Sequence, residues 1–173
     1  MADIYDVIAN RRSIRKYENK KVEEDKLERV LNAARLAPSG KNAQAWKFIV
    51  IREQERKEEL VEACKGQKFL GEADAVIAVA VNEEEVYQKQ GNYMTAFSID
   101  GAIALDHLIL AAYAEGLGTC WIGAFYEDQV REILKVPRPY RVVALTPLGY
   151  PAKEGKFPGR KDLNEVVSYE TFS

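Results

Sequence analysis

A chain of 173 residues, 47% of them hydrophobic, is long enough to bury one sizeable core and matches the usual size of a single domain. Its 25 Lys and Arg against 27 Asp and Glu leave a formal net charge of -2, so no overall field gathers nucleic acid or anionic lipid, and neither is expected as a partner. The two cysteines, Cys64 and Cys120, match neither a zinc-ligand spacing nor a disulfide framework, which argues against a metal site and for a reducing cytoplasm.

Met1-Ala2-Asp3 leads straight into an amphipathic segment and lacks the basic and apolar regions of a secretory signal. Asp3 is placed to cap a helix with Ile4, Val7 and Ile8 on one face, ending at Arg11-Arg12-Ser13. A second helix starts around Glu23-Glu24-Asp25, with acids in its first turn and Leu27, Val30, Leu31 and Ala34 as its core stripe, and Pro38 ends it. Residues 39–44 have loop composition, and 46–51 read as a strand. A helix over about 54–64 and a buried strand over 75–81 follow.

From 93 to 115 the sequence is apolar almost all the way round a helix, which a surface helix does not need. The apolar run inside it carries Asp100, Asp106 and His107, costly in lipid, so it reads as a buried helix and no membrane is expected. Something must cover its second face: a partner subunit is one reading, burial within one larger core the other. Gly116 and Gly118 stop the helix, and 117–123 form a Gly-bounded turn into a short extended piece. A short helix over 127–134, a strand over 141–150 and a tail rich in Pro, Gly and Lys complete the chain.

Three stretches have the composition of a ligand site. Arg11-Arg12-Ser13-Ile14-Arg15 gathers three guanidiniums and a hydroxyl in five residues of a slightly acidic protein. Guanidinium forks match phosphate oxygens, and alternate residues of an extended segment share a face, so Arg11, Ser13 and Arg15 are placed to converge on one anion. A solvated basic turn has the same composition. Pro38-Ser39-Gly40-Lys41-Asn42-Ala43-Gln44-Ala45-Trp46 offers side-chain amides and backbone groups suited to a heteroaromatic edge, or an ordinary connecting loop. Phe157-Pro158-Gly159-Arg160-Lys161 adds a second cationic pair, complementary to the first if the ligand is a dianion and a solvated tail otherwise.

Glycine-rich dinucleotide, P-loop and nucleophile-elbow motifs are all missing. The lone histidine, His107, reads as a core residue, and Cys120 beside Trp121 as a packed thiol. No catalytic side chain stands out, as expected where a cofactor carries the chemistry.

Together, the 11–15 and 38–46 motifs and Gly118-Thr119-Cys120-Trp121-Ile122-Gly123 resemble the nitroreductase family of FMN flavoproteins, in the expected order and over nearly the whole chain. The resemblance implies an α+β fold with a mixed central sheet flanked by helices, forming an intertwined homodimer with two FMN sites at its interface. It assigns Arg11, Arg12, Ser13 and Arg15 to the FMN phosphate, ribityl and pyrimidine region, with Arg160 and Lys161 closing on the phosphate. Pro38, Ser39, Gly40 and Asn42 belong to the same site, Ser39 and Asn42 reaching it from the partner. Gln67 matches a position near the flavin pyrimidine, and the backbone around Ile122 and Gly123 one facing the N5 edge. Many family members carry Pro where this chain has Ala45, and longer insertions that shape a substrate channel are missing.

The implied activity is hydride transfer from NADH or NADPH through flavin N5 to a small-molecule acceptor such as a nitroaromatic or quinone. The family's broader relatives leave a flavin-fragmenting or reductively dehalogenating enzyme as alternatives, and a flavin-binding or redox-sensing module without turnover is a third.

Overall fold

The computed structural model describes residues 3–172; Met1 and Ala2, where the reading of the export signal begins, lie outside the described residues. Helix α1 spans Ile4–Asn10 and is capped as expected, the Tyr5 amide donating to Asp3 Oδ1 at 2.8 Å. Of its apolar face only Val7 is buried, and Ile4 and Ile8 stay exposed. The helix packs on a later helix, and its outer stripe is left uncovered. Helix α2 (Glu24–Arg35) buries Leu27, Val30 and Ala34, with Leu31 packed at the edge of the core. A single 3₁₀ turn, Gly40–Asn42, interrupts the loop that follows.

Strand β1 (Trp46–Ile51), helix α3 (Gln54–Ala63), a four-residue helix α4 (Phe69–Glu72) and strand β2 (Ala75–Asn82) come next. Helix α5 spans Phe97–Ala114 and starts later than its apolar pattern. Residues 90–94 fold instead into a tight turn, with Gly91 and Asn92 at positive φ and the Gln90 amide bonded to Met94 O at 2.9 Å. Strand β3 (Gly118–Thr119), helix α6 (Glu127–Ile133), strand β4 (Tyr140–Gly149) and a 3₁₀ turn at Leu163–Glu165 complete the order.

The strands lie in the order β1-β2-β4-β3, every ladder antiparallel. Among the described residues the parallel element of the sheet is a single bridge, Ser13 to Thr119, which docks the 11–15 segment on the outer edge of β3. All eight residues of β2 are buried, and the two-residue period divides them. Ile77, Val79 and Val81 enter a core with α2 and α5, while Val76, Ala78 and Ala80 enter a second core with Leu60 and Leu70.

Helix α5 lies in the first of these cores, packed on α2 and on β2 and β4. Its length and composition alone would let it cross a membrane; here its apolar faces are the floor of a protein core. The chain therefore covers much of the second face itself. A stripe remains: Ile99, Ile103 and Leu110 are half-buried and Tyr113 is exposed. His107, expected in the core, is half-buried on the same helix.

Candidate functional site

At the end of α1 the chain turns sharply, held by the Arg12 guanidinium. Its Nη1 donates to Ala9 O at 2.7 Å and to Arg11 O at 2.8 Å, satisfying carbonyls that the helix end leaves open. The Ile14 amide then bonds Thr119 O at 2.8 Å. Gly118 lets the segment approach closely, since a Cβ there would lie 2.7 Å from Ile14 Cγ1. Buried Tyr17 donates to Ile14 O at 2.8 Å, and desolvation holds its phenol far above the usual range, so it is a fixed donor.

Burial pushes the Cys120 thiol up, while Arg15, a hydrogen bond with the Ser13 side chain and Arg11 pull against that shift. The backbone bridge of Ser13 to Thr119 sets the segment beside 118–123, with Arg11, Arg12 and Ile14 lining the adjoining cleft, whereas Ser13 and Arg15 are not among its lining residues. From the other end of the chain, Phe157 joins them. The Arg12 guanidinium lies 4.2 Å from the centre of its ring and the Arg160 guanidinium 5.6 Å, so the two cationic stretches share one aromatic plate. Lys161 is exposed beyond it. A cleft of about 720 Å³ opens here, lined by Asn10, Arg11, Arg12, Tyr113, Glu154 and Phe157.

Gln67 fastens the other side. Its amide nitrogen donates to Cys64 O at 2.8 Å and to Ala124 O at 3.1 Å, pinning the chain just after Gly123. The Ile122 side chain is buried and its backbone exchanges hydrogen bonds with Leu145, leaving Gly123 at the surface beside the Trp121 ring. Burial pushes the Cys64 thiol up to about 11.

The 38–46 loop lies elsewhere. Its Gly40 amide donates to Asp100 Oδ1, in the first turns of α5, at 3.1 Å, and Ser39 Oγ accepts from the Gln44 amide at 3.0 Å. The Arg11 cleft is built on Tyr113 and Ala114 at the opposite end of α5. At 1.5 Å per residue, the two ends are about 20 Å apart along the helix. Within one chain the fold puts Arg11 and Arg12 on the cleft and Arg160 beside Arg12 on Phe157, keeps Ser13 on the Thr119 bridge with Arg15 exposed outside the cleft lining, and ties Gln67 to the chain just after Ile122 and Gly123. Pro38, Ser39, Gly40 and Asn42 stand apart. Sequence reasoning did not pick out Tyr113 or Phe157 as lining residues, nor Asp100 as the partner of Gly40, although a carboxylate in an apolar helix was a visible signal.

A model described as the nitroreductase family matches residues 8–96 and 61–150. The chain belongs to the nitroreductase family. A Thermus thermophilus relative named NADH dehydrogenase is 34% identical over 187 residues, covering 91% of each protein. Among solved structures, a nitroreductase family protein of Clostridium difficile 630 is 33% identical with a TM-score of 0.89, over 99% of this chain and 100% of the other. An FMN-dependent nitroreductase of Clostridium difficile R20291, also 33% identical, has a TM-score of 0.83 over 97% and 99%.

Proposed function

We propose that the protein is an FMN-dependent oxidoreductase that takes hydride from NADH or NADPH and reduces a small-molecule acceptor such as a nitroaromatic or quinone. The observation that carries the reading is the cleft lined by Arg11 and Arg12, with Arg160 brought beside Arg12 through Phe157 and Ser13 bridged to Thr119 in the 118–123 segment. Several guanidiniums in one place suit a phosphate dianion, and the adjoining cleft is within the usual range of small-molecule sites. Gly155 adds to the fit: a Cβ there would lie 2.8 Å from Ser13 O, so the 152–157 strap closes tightly over the basic segment.

Arg11, Arg12, Ser13 and Arg15 would hold the phosphate, ribityl and pyrimidine end, Arg160 and Lys161 would close on the phosphate, and Gln67 and the Ile122–Gly123 backbone would face the ring. The chemistry the flavin supplies when bound is hydride acceptance at N5 and delivery to an acceptor that replaces the nicotinamide. The protein's part is to bind, orient and stabilise negative charge with nearby cations. Cys120, Cys64 and Tyr17 are all pushed upward by burial, so none is poised to trade protons near pH 7.

The roughly 20 Å gap within one chain is what supports an intertwined homodimer, in which Pro38, Ser39, Gly40 and Asn42 reach the flavin of the other copy. Two buried free thiols suit a reducing cytoplasm. The test is the visible spectrum of the purified protein, identification of the released flavin, and NADH or NADPH oxidation with and without an added acceptor. A yellow protein carrying about one FMN per chain and turning over with acceptor is expected. A colourless protein that takes up no FMN would sink the reading, and bound FMN without turnover would favour a non-catalytic module.

A further inference from the structure

Asp100 sits in the first turns of a largely apolar helix and is 3% exposed. A carboxylate so buried is costly unless hydrogen-bonded. Oδ1 accepts the Gly40 amide at 3.1 Å, whereas Oδ2 is buried with no hydrogen-bond partner among the described residues. A residue that merely filled the space would not need an acceptor there.

What it holds is a strained loop. Lys41, Asn42 and Gln44 take φ of 54°, 56° and 51°, left-handed values that non-glycine residues keep only where the surroundings over-determine them. The surroundings are specific. A Cβ on Gly40 would lie 2.8 Å from Tyr87 Cβ, so Gly40 is pressed between that ring's root and Asp100. Lys41 Nζ lies 4.9 Å over the Tyr87 ring, and the Ala96 amide bonds Tyr87 O at 2.8 Å, closing the clamp onto the start of α5.

We propose that Asp100 is the positioning residue of the 38–44 loop: its carboxylate anchors Gly40 and so fixes where Ser39 and Asn42 stand toward the flavin of the partner subunit. The role in flavin binding rests on the functional reading above; the hold on the loop does not. The anchor is the acceptor atom itself, placed by the start of α5 at hydrogen-bond distance from the Gly40 amide, so a neutral acceptor of the same length should serve in its place. Asp100→Asn keeps an acceptor for Gly40 and removes the charge, whereas Asp100→Ala removes the anchor.

Two measurements separate loop from flavin. Lys41 is exposed, so the rate of tryptic cleavage after it, in the FMN-free dimer, reports release of the loop alone. FMN titration and steady-state kinetics report the consequence at the site. Asp100→Ala is expected to speed cleavage at Lys41 roughly tenfold and weaken FMN binding roughly tenfold, while Asp100→Asn stays within about threefold of wild type on both. Should the alanine variant not fold, Asp100→Ser, too short to reach Gly40, carries the same expectation. Wild-type cleavage in the alanine or serine variant would overturn the proposal, as would an asparagine variant as impaired as alanine. Faster cleavage with unchanged FMN affinity would remove the loop from the flavin site. A wild type that binds no FMN would overturn the functional reading, while the Lys41 rates still decide the anchor.

Discussion

Arg11 and Arg12 are neighbours with different attachments. Arg12 holds the end of α1 through Ala9 O and stacks on Phe157, so its loss should be felt even without ligand. Arg12→Ala is expected to lower the stability of the FMN-free protein by about 1–2 kcal/mol. Arg11→Ala should leave that stability within about 0.5 kcal/mol and weaken FMN binding by roughly 1.5–3 kcal/mol, about 10- to 150-fold. Flavin fluorescence titration beside melting of the FMN-free forms distinguishes the two, and unchanged affinity in Arg11→Ala would remove that residue from the site. Cys64 gives a pH signature. Its folded thiol stays protonated to about 11, raised by burial from the reference 9.0 of the unfolded chain. Its contribution is therefore complete below pH 9 and drains away as pH rises towards 11, a loss of at most about 2–3 kcal/mol. Urea unfolding at pH 8 and pH 10.5 should show Cys64→Ala losing less stability than wild type on the alkaline step; an equal loss would contradict the assignment.

At the scale of elements, regular periodicity was legible and long-range placement was not. The stripe of α2 and the apolar run of β2 gave their elements nearly to the residue, because each is set by burial of a repeating pattern. Helix α4 was missed because four residues carry too little period to be read. The start of α5 was misplaced because Tyr93 and Met94 look helical, while Gly91 and Asn92 commit the preceding chain to a turn. The basic motif was visible at 11–15, yet its docking on β3 depends on Gly118, which composition marks only as a helix stop. That contact is testable. Gly118→Ala would bring a Cβ to 2.7–3.0 Å from three Ile14 atoms, and the Cβ among them cannot swing away. The expected cost is about 1–3 kcal/mol in unfolding free energy, accompanied by weaker FMN binding as the 11–15 segment lifts. A variant as stable as wild type would mean that the segment docks less tightly than the geometry requires.

At the scale of the molecule, the chain leaves more apolar side chain in solvent than its cores explain. Ile4, Tyr5 and Ile8 line the outside of α1, and every residue from 160 to 172 is exposed, among them Leu163, Val166, Val167, Tyr169 and Phe172. Those five belong to neither main core cluster, although the turn at Leu163–Glu165 is locally well made, with Asp162 and Glu165 forming a reciprocal cap. A solvated tail has no use for five large apolar residues, whereas in the proposed homodimer a segment wrapping the second copy would bury them. Moving each into an interface is worth roughly 1.5–3 kcal/mol before association costs, and a twofold-symmetric dimer counts the set twice. Ending the chain after Lys161 removes these side chains while keeping both cationic stretches. The shortened protein should keep its helical and sheet signal at high concentration, since neither main core loses a residue. The proposed dimer should dissociate at least about 100-fold more readily, seen by light scattering or mass photometry on dilution. FMN affinity should then become concentration-dependent, because the loop around Ser39 and Asn42 would reach the flavin only while the second copy is present. A shortened protein that dilutes like the full chain, with unchanged FMN binding, would return residues 162–172 to solvent and leave the α1 and α5 surfaces as the interface to examine.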